Sequence, residues 1–222
     1  MSFAHRVSWL KHPLPVAPLL LAVGASVVVA VAAHAQGGPP LPIDARAQGS
    51  KSAPVTVYEM ADFQCPFCRD FAVTTLPLIE KEYINTGKVR WVFINLPIPS
   101  IHANAVPAAE FAACAARQGR FWPTHNMLYA THDKWENLKN ALPFFQAQMP
   151  SLGLKPELMA TCLQSGAGAD VVKDDVAGAE RSGAHSTPTF YIEGGMMAGA
   201  QPIEVFRQIL DSIYTAKVKA RG

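Results

Sequence analysis

The sequence predicts one α/β domain interrupted by an all-helical insertion. Three observations carry that expectation. Two short apolar, β-branched runs flank a helical stretch in the first half, a long block of helical composition follows, and a hairpin leading into an amphipathic helix closes the chain. The 222 residues are half hydrophobic and 16% charged, enough for one domain with a good core and an insertion.

The elements follow in order. Residues 53–100 form the first half of the α/β unit. Within it, residues 55–60 read as a buried strand. From Pro66 the pattern turns helical, with Phe67, Phe71, Leu78 and Tyr83 sharing a face, a kink expected at Pro77 and a stop at Gly87. Residues 89–96 are a second strand, ended by Pro97 and Pro99. Residues 101–184 are the insertion, with helices over 103–117, 121–131, 136–148, 156–164 and 168–183. Phe121 and Trp122 read as anchors of its core. Residues 185–218 return to strand 189–192, a Gly194-Gly195 hairpin turn, a return strand over 196–199 and a last helix opened by Pro202. Ile203, Phe206, Ile209, Leu210 and Ile213 line one side of that helix.

The N-terminus reads differently. Residues 1–12 carry His5, Arg6, Lys11 and His12, residues 14–33 are apolar and uncharged, and Ala33-His34-Ala35 offers a small-residue cleavage signal. Residues 1–35 are expected to be a secretory signal peptide cut before Gln36. The alternative is an uncleaved membrane anchor, which Pro15 and Pro18 shorten. Either way the remainder is exported, to the periplasm or beyond. Residues 36–52, rich in Pro and Gly, read as a flexible linker. The net charge of +2 comes from Arg6 and Lys11; the other 17 bases balance 17 acids. A neutral chain without a basic run gives no case for nucleic acid.

The chemistry lies in Cys65-Pro66-Phe67-Cys68, directly after the first strand. A strand that delivers two thiols to a helix N-terminus places the first where free N–H groups favour a thiolate. The second, one turn further in, faces the protein and attacks only after the first has formed a mixed disulfide. Pro66 suits a first helical turn. A zinc site would need a second CxxC or an HxxxH, and haem attachment would need His where Arg69 stands. The pattern is that of thiol–disulfide exchange, which needs no cofactor beyond the two sulfurs.

Four blocks in order, Asp62-Phe63-Gln64-Cys65-Pro66-Phe67-Cys68, Gly119-Arg120-Phe121-Trp122, Ser186-Thr187-Pro188-Thr189-Phe190 and Gly199-Ala200-Gln201-Pro202, resemble the DsbA-like branch of the thioredoxin superfamily. The resemblance runs from about residue 52 to the C-terminus. It implies a thioredoxin fold with a helical insertion and an exported thiol–disulfide oxidoreductase that oxidises cysteine pairs in secreted proteins. Cys65 and Cys68 are its catalytic pair, and Glu59 matches a buried acid that relays protons to the second cysteine. Thr187 and Pro188 match the cis-proline loop that pairs with substrate backbone, beside Pro66 and Phe67. Many relatives carry His where Phe67 stands, and a neutral ring cannot stabilise a thiolate as His⁺ does. The resemblance also implies a quinone-linked membrane thiol oxidase as reoxidising partner, and the chain is expected to act as a monomer.

Two rivals stand beside that reading. One is a disulfide isomerase or dedicated reductant on the same fold, for which residues 36–52 are too short an oligomerisation segment. The other is an exported metal-binding or chaperone-like protein using the CxxC as soft ligands.

Cys114 and Cys162 fall in the insertion, each on an apolar helix face. They are either two buried thiols or, in an oxidising compartment, a disulfide. Family members carry a pair at these places, which implies a structural bridge, contributing about 4 kcal/mol on the chain-entropy estimate. His102 and His125 read as helix-end or packing residues, His185 as a solvated loop residue and Met196-Met197 as ordinary hairpin contacts.

Overall fold

The computed structural model describes residues 40–220. The expected signal peptide, or anchor, over residues 1–35 lies outside the described residues, as does the start of the expected linker. A five-stranded sheet in the order β1-β3-β2-β4-β5 forms the frame. Its strands are β1 (Ala47–Gln48), β2 (Val55–Ala61), β3 (Val89–Asn95), β4 (Thr189–Ile192) and β5 (Gly195–Ala198). β2 and β3 run parallel, as a strand–helix–strand crossover requires, and the other pairings are antiparallel.

β2 is central and covered on both faces. Val55 and Val57 pack with Phe71, Trp91, Phe190 and Phe206 on one side, and Met60 with Ala179 and Ala184 on the other. Alternation therefore aims Glu59 to the same side as Val55 and Val57. Between β3 and β4 lies the insertion: α3 (Ala105–Ala116), α4 (Phe121–Ala130), α5 (His132–Trp135), α6 (Leu142–Ala147), α7 (Met149–Leu152), α8 (Pro156–Gln164) and α9 (Ala167–Ser182). Its own core joins Phe111, Phe121, Tyr129, Trp135 and Phe145 to Phe63 and Phe93 of the α/β unit. Trp122 is half-buried and touches both cores.

Four expectations need correction. Residues 43–52 are not a flexible linker: a 3₁₀ turn, Ile43–Arg46, leads into β1, which pairs with β3. The second correction concerns the helical run after Cys65, which comprises α1 (Pro66–Asp70), a π turn Phe71–Thr75, α2 (Leu76–Ile79) and a second π turn Glu80–Ile84. Pro77 has no N–H to give the preceding turn, which widens instead. Wider turns shift the buried face to Cys68, Phe71, Leu76, Ile79 and Tyr83, leaving Phe67 63% and Leu78 38% exposed. The third is the expected helix over 136–148, of which only α6 is helical, with α5 ending before the span and α7 starting after it. The hairpin turn also shifts by one residue from the expected Gly194-Gly195: the two residues between the strands are Glu193 and Gly194, both at positive φ, and Gly195 opens β5. The final helix α10 (Ile203–Lys219) buries Ile203, Phe206 and Leu210 as its pattern predicts. Among the described residues no helix is long and apolar enough to cross a membrane.

Candidate active site

β2 ends at Ala61 and α1 begins at Pro66, so a short loop carries the first cysteine. Cys65 is the N-cap, in extended conformation, and its N–H closes the turn on the Asp62 carbonyl at 3.1 Å. The loop is clamped from outside itself. The Asp62 carboxylate, fully buried, accepts from the N–H groups of Gln64 and Ile98 at 2.8 Å and meets His102 Nδ1 at 2.7 Å. The Gln64 amide accepts from the Asn104 N–H at 2.6 Å and donates to the Glu136 carbonyl at 2.8 Å. His132 Nε2 lies 2.8 Å from the Gln64 carbonyl, so its N–H tautomer donates there. The insertion thus sets the loop position from His102 and Asn104 before α3 and from His132 and Glu136 at α5.

The two thiols are unbonded and sit in unlike surroundings. Cys65 retains 5% of its surface and Cys68 none. The Cys68 thiol, hydrogen-bonded to the Cys65 sulfur, is the largest cause that brings the Cys65 thiol down to about 6, with Thr187 and the N–H groups at the start of α1 adding to it. Burial, and then that same bond and the Cys65 charge, hold the Cys68 thiol well above its ordinary value. At neutral pH the first sulfur is a thiolate and the second a thiol.

Glu59, fully buried, is pushed up to about 7 by burial, against the pull of one bond from Trp91. Trp91 Nε1 donates to its Oε2 at 2.8 Å. His125, buried among Phe63, Phe93, Trp122 and Tyr129, is brought down to about 4 by burial and is neutral.

The Thr187–Pro188 peptide is cis, and the Cys65 sulfur lies 3.5 Å from the Thr187 carbonyl, which closes one wall of the site. Pro66 and Phe67 are exposed beside it. Phe67 borders a cleft of about 440 Å³ that Leu78, Gln201 and Pro202 also line. Cys65, Cys68, Thr187, Pro188, Pro66 and Phe67 therefore meet at one place, with Glu59 in the core beneath. Cys114 and Cys162 do not join them: they are bonded to each other across α3 and α8, with Cα atoms 5.7 Å apart. His185 is exposed and lines a separate cleft with Pro97, Ile98 and Glu180.

Sequence reasoning missed the roles of Asp62, Gln64, His102, His132 and Trp91. The signal for the first two was present, since both are polar residues in an apolar approach to the CxxC. Their partners lie 36 to 72 residues away, which no local pattern reveals. Chemically, a low-lying thiolate beside a protonated inner thiol and a buried acid is built to exchange disulfides, with attack directed at the outer sulfur.

The thioredoxin family model matches residues 43–212. A Na⁺/H⁺ antiporter NhaA 3 from Salinispora tropica is 32% identical over 176 residues, 79% of this chain but 26% of the antiporter. The chain thus spans about a quarter of the length of that relative. A probable disulfide bond formation protein D from Bacillus anthracis is 30% identical over 152 residues, 67% of this chain and 69% of that protein. Among solved structures, Wolbachia pipientis alpha-DsbA1 superposes with a TM-score of 0.71 at 22% identity, covering 80% of this chain and 94% of that one.

Proposed function

Because the chain belongs to the thioredoxin family, in the DsbA-like group of the disulfide bond formation proteins D, we propose that it is an exported oxidase of cysteine pairs in secreted proteins, working by dithiol–disulfide exchange. The observation that carries this reading is the split between the two thiols. Cys65 is held down to about 6 at a helix N-terminus and Cys68 is held high in the core. A stabilised Cys65 thiolate favours the reduced form of the protein, which is what an oxidant needs.

In the forward reaction a substrate thiolate attacks the Cys65 sulfur of the Cys65–Cys68 disulfide. Cys68 leaves and takes up a proton, with Glu59 as its source. A second substrate thiolate then attacks the substrate sulfur of the mixed disulfide and releases Cys65 as a thiolate. The Thr187 backbone pairs with the substrate chain next to the reacting sulfurs, and Pro66 and Phe67 offer an apolar surface beside them. Reoxidation falls to a quinone-linked membrane thiol oxidase. The leader supports export, and the protein acts as a monomer without nucleic acid.

The test is equilibration of the Cys65–Cys68 pair in glutathione buffers. A potential above about −180 mV supports the oxidase, and one near about −270 mV, the thioredoxin value, makes it a reductant. In a separate assay Cys65→Ser abolishes oxidation of a reduced test protein, and full activity in that variant ends the mechanism.

A further inference from the structure

Glu59 is an acid with one hand held and one free. Its Oε2 accepts the Trp91 indole N–H, while Oε1 is buried with no hydrogen-bond partner among the described residues. Trp91 is itself fully buried and cannot swing away: Phe71 stacks on it at 5.9 Å, and Phe190 and Phe206 tilt against it at 5.8 and 6.2 Å. The pairing of β2 with β3 sets Trp91 opposite Val57 and Phe93 opposite Glu59, so the indole is the diagonal neighbour of the carboxylate on one sheet face. Cys68 on α1 and Tyr129 on α4 are the titratable groups that feel the Glu59 charge, and Tyr129 also feels Cys65 and Asp62. All four are acids. The neighbours from β4 and α10, Phe190 and Phe206, do not titrate. Among the described residues no cation acts on Glu59, and the single donated hydrogen bond is what favours its charged form.

We infer that Trp91 is a positioning residue for the exchange reaction: its N–H fixes one oxygen of Glu59 as a carboxylate and turns the other over to proton traffic with Cys68. The inference rests on the oxidoreductase reading. A buried carboxyl without any donor stays neutral far above pH 7 and cannot take a proton. A donor to the charged form brings it back to where it can take a proton and return it, consistent with the value of about 7. A Lys in place of Trp91 would lock Glu59 as a permanent anion; the indole stabilises the charge without supplying one.

The step that reads this out is disulfide closure, with oxidised glutathione as the probe. The Cys65 thiolate attacks it, joins one glutathione and releases the other as a thiolate. Cys68 then passes its proton to Glu59 as its sulfur attacks the Cys65 sulfur. The Cys65–Cys68 bond forms, the bond to glutathione breaks, and the second glutathione leaves as a thiolate. Two electrons pass from the dithiol to glutathione, and Glu59 later gives its proton to water.

The closure rate is measured from pH 5 to 9 by acid quenching and mass spectrometry. In the unaltered protein it rises through the Glu59 inflection. In Trp91→Phe the inflection moves up by about one pH unit, so closure at pH 6 falls about tenfold, while the first attack by Cys65 keeps its rate. Glu59→Gln loses the inflection, and adding Trp91→Phe to it changes nothing further. Superimposed profiles for Trp91→Phe and the unaltered protein overturn the inference. A second measurement needs no core substitution at Trp91: with ¹⁵N-labelled tryptophan, the Trp91 indole resonance titrates with Glu59 in the unaltered protein and is flat in Glu59→Gln. A flat resonance in the unaltered protein overturns the inference as well. Failure of the unaltered protein to exchange with glutathione at all sinks the oxidoreductase reading instead, and the indole titration then still decides whether Trp91 holds Glu59.

Discussion

Cys65 owes its acidity to a few donors gathered at one helix end, and that acidity links redox state to stability. Its thiol falls from a reference value of 9.0 to about 6 in the folded, reduced protein. A lowered value stabilises the folded form above the unfolded pKa, and the contribution is lost as pH falls through the folded one. The reduced protein therefore gains on the oxidised protein between about pH 6 and pH 9, on the order of 4 kcal/mol across the window if the full shift is expressed. Cys68, held high by burial, stays neutral in the folded protein and begins to oppose the gain only as pH nears its unfolded value of 9.0. Urea unfolding of the two redox forms at pH 5, 7 and 8.5 measures the effect. A difference that does not grow with pH would mean that Cys65 is not held as a thiolate.

Elements were legible where their signals are local. The strand before the CxxC, the Pro66 helix start, α8 and β4 all appear where apolar pattern and Pro placement put them. β1 was not, because two residues carry no periodicity and exist as strand only by pairing with β3. The expected helix over 136–148 fails for a reason that lies 34 to 72 residues away in the chain and gives no local signal. The Asn104 side chain donates to the Leu138 carbonyl at 2.7 Å and accepts from the Ala141 N–H at 3.0 Å, and Gln64 takes the Glu136 carbonyl. Those bonds divert backbone groups that a continuous helix would use internally. In the site, the cysteines and the Thr187-Pro188 loop were legible as motifs, whereas the clamp on Asp62 and Gln64 arises only from tertiary contact. The insertion also has a tight spot of its own. A Cβ on Gly168 of α9 would lie 2.9 Å from the Cys114 sulfur and 2.9 Å from the Glu110 carbonyl oxygen on α3. Gly168→Ala gains about 1 kcal/mol of helix propensity and still destabilises, because parting two packed helices costs about 1–3 kcal/mol. A melting temperature equal to or above that of the unaltered protein would show that α3 and α9 separate freely.

At the scale of the molecule, one buried ion pair joins three parts that the sequence keeps far apart. Arg46, before β1, pairs with Asp175 of α9, and the two side chains are 4% and 7% exposed. Asp175 Oδ2 also accepts from the Asn95 backbone N–H at 2.9 Å and side-chain amide at 2.6 Å, at the end of β3. The same carboxylate thus binds the N-terminal segment, the sheet and the insertion whose other elements clamp the CxxC loop. Arg46 reads as linker because a basic residue among Pro, Gly and Ala gives no hint of an acid 129 residues later. Removing one partner of a buried pair strands the other charge, so Asp175→Ala costs about 3–5 kcal/mol. Asp175→Asn costs less, since its oxygen still accepts from Asn95. Arg46→Met placed in the Asp175→Ala background recovers much of the loss, because the stranded guanidinium is gone. Urea unfolding of Arg46→Met, Asp175→Ala, their combination and the unaltered protein closes a double-mutant cycle on the pair. If the Arg46 and Asp175 effects simply add, the pair is not a coupled lock, and the insertion is held to the sheet by its apolar core and the Asp175–Asn95 hydrogen bonds.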